Sequence, residues 1–296
     1  MAIVINANEI TNVVAELCIS ANIDADTNIR ACIKQALDIE TSEAAKGALN
    51  MIIDNMKTAE TERMPLCQDT GMVVAFIEVG QNVQIIGSLT EAVNEGVRQG
   101  YRKGYFRSSV VRDPIDRINT LDNTPAIIHY NIVEGEHIKI TIVPKGFGSE
   151  NKNAVKMLNP SDGIEGVINF VMDTVQRAGA DPCPPIIVGV GIGGTMEKAA
   201  LLAKQALILD VKGENSDSYW AGIERDILKR INNELNIGAA GFRGVTTALG
   251  VRILTYPTHI AGLPVAVNIG CHVSRHKEAI IRANADGGIN EVVFKH

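Results

Sequence analysis

The 296-residue chain carries a formal charge of −6, is 46% hydrophobic and 21% charged, and contains only 4% aromatic residues. This is the balance of a globular protein with an aliphatic core, long enough for one large domain or two smaller ones. The acidic charge and the lack of a basic run argue against a nucleic-acid surface and a membrane-surface patch, and no apolar stretch reaches membrane-spanning length.

The N-terminus has neither a positive n-region nor an apolar h-region, so a soluble, cytoplasmic protein is expected. Five cysteines, an odd number, suit a reducing compartment better than a complete disulfide framework.

Along the chain, the opening segment up to about residue 60 reads as helical. Ile10, Val13, Val14 and Leu17 form one helical stripe, and Ile29, Cys32, Ile33, Ala36 and Leu37 a second. A third helix is expected from near Thr41 through Met56. Cys18 and Cys32 fall inside these patterns and read as small buried hydrophobes. Beyond residue 60 the texture changes to mixed strand and helix: a strand over 72–79, then a helix over 88–102 opened by the capping-box pattern Ser88-Leu-Thr-Glu91. Segments 126–133 and 137–143 look like an antiparallel hairpin around Glu134-Gly135-Glu136. Helices are expected over 162–177, 196–207 and 218–235, and strands over 250–255, 264–269 and 291–294, with 213–217 as an exposed loop. The fold class is α/β (mixed α+β): an N-terminal helical segment, 1–60, followed by a mixed strand and helix domain, 61–296, in one compact module.

Three cysteines stand in polar or glycine-rich turns: Cys67 in Pro65-Leu-Cys-Gln-Asp-Thr-Gly71, Cys183 in Asp181-Pro-Cys-Pro-Pro185, and Cys271 in Asn268-Ile-Gly-Cys-His272. They lie 116 and 88 residues apart, too scattered for a compact zinc module. Three thiolates are one fewer than the usual four of an electron-transfer cluster, which would leave one iron open to substrate. His272 and His276, four apart, lack a clear fourth ligand for a zinc site with Cys271.

Other motifs have two readings each. Gly189, Gly191 and Gly194 satisfy G-x-G-x-x-G after a strand-like run, with Asp210 where a ribose-binding acid would stand, so an NAD-dependent oxidoreductase is a rival. The alternative is glycine that lets a helix pack on a strand. Lys145 and Lys152, in a glycine-rich loop, are placed to attract a carboxylate or are ordinary surface lysines. Asp69 is a metal-site neighbour or an Asx-turn residue before Gly71. Arg107 suits bidentate capture of a carboxylate or is a surface arginine, and His259 is a donor to substrate or a structural loop histidine.

Taken together, Pro65-Leu-Cys-Gln-Asp-Thr-Gly71, Gly146-Phe-Gly-Ser-Glu-Asn-Lys152, Cys183-Pro-Pro185 with Gly191-Ile-Gly-Gly-Thr195, and Pro257-Thr-His259 with Asn268-Ile-Gly-Cys271 resemble the class I, iron–sulfur fumarate hydratases. The likeness is to the separate alpha subunit, equivalent to the N-terminal part of the single-chain enzymes, and it covers nearly the whole chain in order. It implies reversible hydration of fumarate to L-malate, with Cys67, Cys183 and Cys271 as ligands of a 4Fe–4S cluster. It also implies Gln68, Asp69, Arg107, Gly148 and His259 around the dicarboxylate: Asp69 and His259 in catalysis, the others in substrate binding. The L-tartrate dehydratase alpha subunits are related and share the first cysteine motif and the Cys-Pro-Pro turn. The Gly-Phe-Gly-Ser-Glu-Asn-Lys and Thr-His-Ile-Ala-Gly segments look closer to the fumarase pattern. In the family a second domain adds a catalytic threonine, further arginines and a lysine. The resemblance therefore implies half an active site here, completed by a beta subunit, most simply as two alpha and two beta chains.

Overall fold

The structure, a computed structural model, describes residues 3–283 and 289–295. In chain order the elements begin with β1 (Ile3–Asn6), α1 (Ala7–Ile23), α2 (Thr27–Ile39), α3 (Glu43–Glu62), β2 (Met72–Gly80), β3 (Val83–Ile86) and α4 (Leu89–Lys103). They continue with β4 (Ile127–Val133), β5 (His137–Lys145), the single turn α5 (Phe147–Glu150), β6 (Ala154–Leu158) and α6 (Gly163–Ala178). The last are β7 (Ile186–Gly193), α7 (Met196–Ala206), α8 (Ser218–Glu234), β8 (Ala248–Tyr256), β9 (Leu263–Gly270), β10 (Lys277–Ala283) and β11 (Ile289–Lys295). No helix among the described residues is long and apolar enough to cross a membrane.

The α/β class is as expected. The chain forms two compact units, one from 1–26, 58–146 and 275–296, the other from 27–57 and 147–274. They do not part at residue 60: α1 belongs to the first unit and α2 to the second.

The first unit holds a five-stranded sheet in the order β11-β10-β5-β2-β4 and a parallel pair β1-β3. Val73, Ala75 and Ile77 of β2 share a core with Ile138, Ile140 and Ile142 of β5 and with the apolar stripes of α1 and α4. Burying each such Val or Ile contributes about 1.5–3 kcal/mol. Helix α1 is capped by Asn6, whose side chain accepts the Asn8 N–H at 3.0 Å, and α4 by Ser88, whose hydroxyl accepts the Glu91 N–H at 3.3 Å. The two helices meet backbone to backbone at glycine: a Cβ on Gly100 would lie 2.8 Å from the Ala15 carbonyl and the Cys18 Cβ.

The hairpin expected from 126–143 does not form. β2 lies between the two strands, parallel to β4 (Val74↔Ile127) and antiparallel to β5 (Met72↔Lys145). The reason is burial: residues 73–77 of β2 are all buried and need a strand on either side, whereas β4 is largely exposed and takes an edge. The Glu134–Glu136 turn passes over the end of β2, where the Gln81 N–H reaches the Val133 carbonyl at 2.8 Å.

The second unit holds a four-stranded sheet in the order β6-β9-β7-β8. β7 is buried along its whole length, parallel to β8 and antiparallel to β9. Helix α7 lies directly on β7 because two strand residues have no side chain: a Cβ on Gly189 would be 2.2 Å from the Ala203 carbonyl, and one on Gly191 2.0 Å from that of Ala199. The G-x-G-x-x-G pattern is therefore a packing device. Gly189 and Gly191 sit within the strand, whereas a dinucleotide fingerprint places its glycines in the turn that follows. Asp210 accepts the Lys212 N–H at 2.9 Å in a turn after α7, far ahead in sequence of β8, so the ribose-acid reading is not met either.

Candidate active site

Cys67 lies in the first unit, in the turn that leads into β2. The turn is held on several sides. The Leu66 N–H reaches the Asn22 carbonyl at 2.9 Å. The buried Tyr101 hydroxyl donates to the carbonyl of Thr70 at 2.6 Å, and the Asn123 amide to that of Gly71 at 3.1 Å. Gly71 adopts φ +76°, and a Cβ there would stand 2.8 Å from the backbone of Lys145, so glycine is required twice over. Asp69 Oδ1 accepts the Gly71 N–H at 3.0 Å, the Asx-turn geometry foreseen as its alternative role.

This frame presents a half-buried Cys67 and an exposed Gln68, with the Cys67 thiol 3.4 Å from Gln68 Oε1. Arg107 is tied to the same turn by its backbone, its carbonyl accepting the Thr70 hydroxyl at 3.3 Å, while its side chain is exposed. Cys67, Gln68, Asp69 and Arg107 are thus gathered in the first unit.

In the second unit, Cys183 precedes β7 and Cys271 follows β9. Since these strands run antiparallel, with Ile187 opposite Gly270, both cysteines stand at one end of the sheet. His272 joins their turns: its ring Nδ1 lies 2.8 Å from the Cys183 carbonyl, and its N–H donates to the same oxygen at 3.4 Å. Facing a carbonyl, Nδ1 carries the proton, and burial pushes the imidazole pKa below its ordinary value while this hydrogen bond partly opposes the shift. Cys183 takes φ +56° and is exposed; Cys271 is half-buried.

Gly148, in α5, comes to this end as well, since a Cβ on it would lie 3.8 Å from the Asp181 carbonyl. Lys152 pairs with Asp181 at 2.5 Å, and Asn153 accepts the Ile269 N–H at 2.7 Å. The unit's sheet sets His259 elsewhere. Gly193 pairs with Tyr256, so the 257–262 loop leaves the opposite end of the sheet, beside the Gly194 turn. The Thr258 hydroxyl donates to the Gly194 carbonyl at 2.9 Å, and His259 Nδ1 accepts the Ala261 N–H at 3.2 Å. At about 3.3 Å per strand residue, the length of β9 puts roughly 20 Å between His259 and Cys271.

Cys18 is fully buried in α1, and burial pushes its thiol pKa well up, as expected of an inert core thiol. Cys32 is half-buried in α2 rather than buried. Among the described residues no group of three or more His, Cys, Asp or Glu is placed to hold a single metal ion. The donor set does suit an iron–sulfur cluster: Cys67, Cys183 and Cys271 are in no disulfide, all three stand on turns with part of the residue exposed, and thiolate is the ligand such clusters take.

Two residues at the Cys67 turn carry no sequence signal, Tyr101 and Arg275. Tyr101 reads only as a core aromatic at the end of α4. Arg275 lies between His272 and His276, the residues to which metal-ligand spacing draws attention. Its Nε donates to the Pro144 carbonyl at 3.1 Å and its Nη2 to the carbonyl of Asp69.

Residues 11–280 match the sequence family described as Fumarate hydratase (Fumerase). A protein of Methanocaldococcus jannaschii provisionally named L(+)-tartrate dehydratase subunit alpha is 40% identical over 284 residues, covering 94% of this chain and 99% of its own length. The L(+)-tartrate dehydratase subunit alpha of Escherichia coli (strain UTI89) is 30% identical over 283 residues, covering 94% of this chain and 92% of its own.

Proposed function

The chain belongs to the fumarate hydratase (Fumerase) family, and from that premise we propose that it is the alpha subunit of an iron–sulfur hydro-lyase that interconverts fumarate and L-malate with a beta subunit. The observation that carries this reading is the family match over residues 11–280, which includes all three cysteine turns. Relatives named as alpha subunits support a beta partner, for which two alpha and two beta chains are the simplest assembly. The odd cysteine number supports the cytoplasm as its compartment.

Water adds across the double bond without oxidation or reduction: one carbon takes a proton and the other the hydroxyl. A 4Fe–4S cluster held by the Cys67, Cys183 and Cys271 thiolates would supply a Lewis acid for the hydroxyl and a carboxylate oxygen. The chain's own residues do the rest of its share. Arg107, with its guanidinium exposed, pairs with a substrate carboxylate. Gln68, exposed beside Cys67, hydrogen-bonds substrate, and Gly148 lets a carboxylate approach the backbone. Asp69 orients or shares the proton moved at the carbon beside the carboxylate, while the principal base comes from the beta chain.

His259 accepts at Nδ1, so its neutral ring offers Nε2–H to a substrate oxygen. Standing at the far end of the sheet from Cys183 and Cys271, it serves substrate held by another copy of the chain.

The names of the relatives favour a second substrate reading, dehydration of L-tartrate. The test is anaerobic co-expression with the neighbouring reading frame, followed by iron analysis and assay on malate, fumarate and L-tartrate. A higher kcat/KM on malate and fumarate supports the first reading, a higher value on tartrate the second, and an iron-loaded pair acting on none of them neither.

A further inference from the structure

Of the two partners of the Cys67 turn that no motif announces, Arg275 is the charged one. Arg275 is only 5% exposed, yet its guanidinium meets two neutral backbone carbonyls, Pro144 at the end of β5 and Asp69 in the turn. The Asp69 turn leaves the β2–β5 ladder just beyond its last pair, Met72↔Lys145, whereas Pro144 is still paired within it, opposite Val73. Arg275 continues the clamp by side chain. It follows Cys271 by four residues, so the segment that carries the third cysteine also supplies the clamp on the first cysteine's turn.

The choice of residue is costly for packing alone. A buried guanidinium must be desolvated, and Nη1 has no hydrogen-bond partner among the described residues. A neutral donor could bridge one carbonyl at less cost; what arginine adds is a rigid planar fork that spans two acceptors, with positive charge. That charge sits close to the Asp69 carboxylate. A Cβ built on Gly146 would lie 3.1 Å from Asp69 Oδ2 and 4.0 Å from Arg275 Nη2, so the bare glycine leaves carboxylate and guanidinium facing one another.

We propose that Arg275 is a positioning residue for the hydro-lyase reaction: by holding the Asp69 carbonyl it fixes the peptide that presents Cys67, Gln68 and Asp69. This deepens the function proposed above and rests on it. Arg275 acts through the turn and does not touch substrate, so its loss should lower turnover far more than substrate affinity.

The experiment compares Arg275→Lys and Arg275→Ala with wild type, each purified anaerobically with the beta chain. The readouts are deuterium exchange across residues 64–72, iron content, and kcat and KM for malate. Loss of a hydrogen bond from a charged donor predicts exchange in that peptide faster by about tenfold or more, with the rest of the chain unchanged. Displacement of the turn predicts a fall in kcat of about a hundredfold with KM little altered. Guanidinium ion in the buffer should restore part of the alanine variant's turnover. Wild-type exchange and kcat in Arg275→Lys would overturn the proposal, as would faster exchange with unchanged kcat. So would a loss expressed mainly in KM. If Arg275→Ala fails to fold, the lysine variant decides the matter. A wild-type pair inactive on both malate and tartrate would instead remove the hydro-lyase reading, and deuterium exchange would still decide whether Arg275 clamps the turn.

Discussion

The ring of His272 and the carbonyl of Cys183 meet at 2.8 Å, although 89 residues separate them in the chain. The contact joins the turns of two cysteines at one end of the second unit's sheet. Replacing His272 with phenylalanine keeps the ring and removes the donor, at a cost of about 0.5–1.5 kcal/mol. Urea unfolding should show that loss, and the variant should retain less iron through anaerobic gel filtration. Undiminished iron retention would mean that this contact does not support the site.

Serine replacements should sort the five cysteines. Changing Cys67, Cys183 or Cys271 should abolish the brown chromophore and bound iron, since each is proposed as a cluster ligand. Cys18→Ser should keep the iron but lose about 1–3 kcal/mol of stability, because a hydroxyl enters an apolar site. Iron per chain and the urea midpoint check both halves. A colourless Cys18→Ser beside a brown Cys183→Ser would reverse the assignment.

The glycines of β7 give a separate test. Gly191→Val would drive a side chain into the carbonyl of Ala199, so the variant should lose about 1–3 kcal/mol or more in a urea titration. Millimolar NAD should leave the wild-type melting temperature where it was. A rise on adding NAD would revive the dinucleotide reading that the strand geometry disfavours.

Glu40 predicts an acid sensitivity. Burial alone would raise its carboxyl, but the N–H groups of Ser42, Thr41, Val245 and Thr246 together outweigh that and hold it below the usual glutamate range. A carboxyl lowered on folding stabilises above its unfolded pKa, and that stability is lost as pH falls through the folded value. Wild type should therefore lose stability below about pH 4.3, the ordinary glutamate value. Glu40→Gln should be less stable at neutral pH and show a flatter slope in that window. Parallel pH curves for the two proteins would contradict the assignment.

His259 can be tested by mixing. If it serves another copy of the chain, His259→Asn and Cys183→Ser are each inactive alone, but together assemble some complexes in which one complete site forms. Activity recovered on co-expression of the two variants would support a role across copies. No recovery, with mixed assembly verified by two affinity tags, would rule it out.

Much of this was legible in the sequence because it is local. Helical stripes marked α1 and α2, Ser88 marked the start of α4, and the polar turns around Cys67, Cys183 and Cys271 set those cysteines apart from Cys18. What escaped is set by distant partners. The placing of β2 between β4 and β5 depends on which strand must be covered on both sides, and adjacency of β4 and β5 in the chain suggested the wrong pairing. Strands β1, β3 and β10 are short or interrupted by charge, and their alternation is weak. Arg275 escaped because its meaning lies in two backbone carbonyls, Pro144 and Asp69, that sequence spacing does not reveal. The separation of His259 from Cys271 likewise follows from the length of β9, whereas the two are only twelve residues apart in the chain.

The most direct test of the central claim is malate dehydration by the anaerobically purified alpha–beta pair, measured beside each chain alone and related to iron content. The pair should hold about four irons per alpha chain, turn malate over, lose activity in air, and regain it with ferrous iron and thiol, while the alpha chain alone turns over negligibly. Full activity from an iron-free preparation, or from alpha chain rigorously free of its partner, would contradict the account.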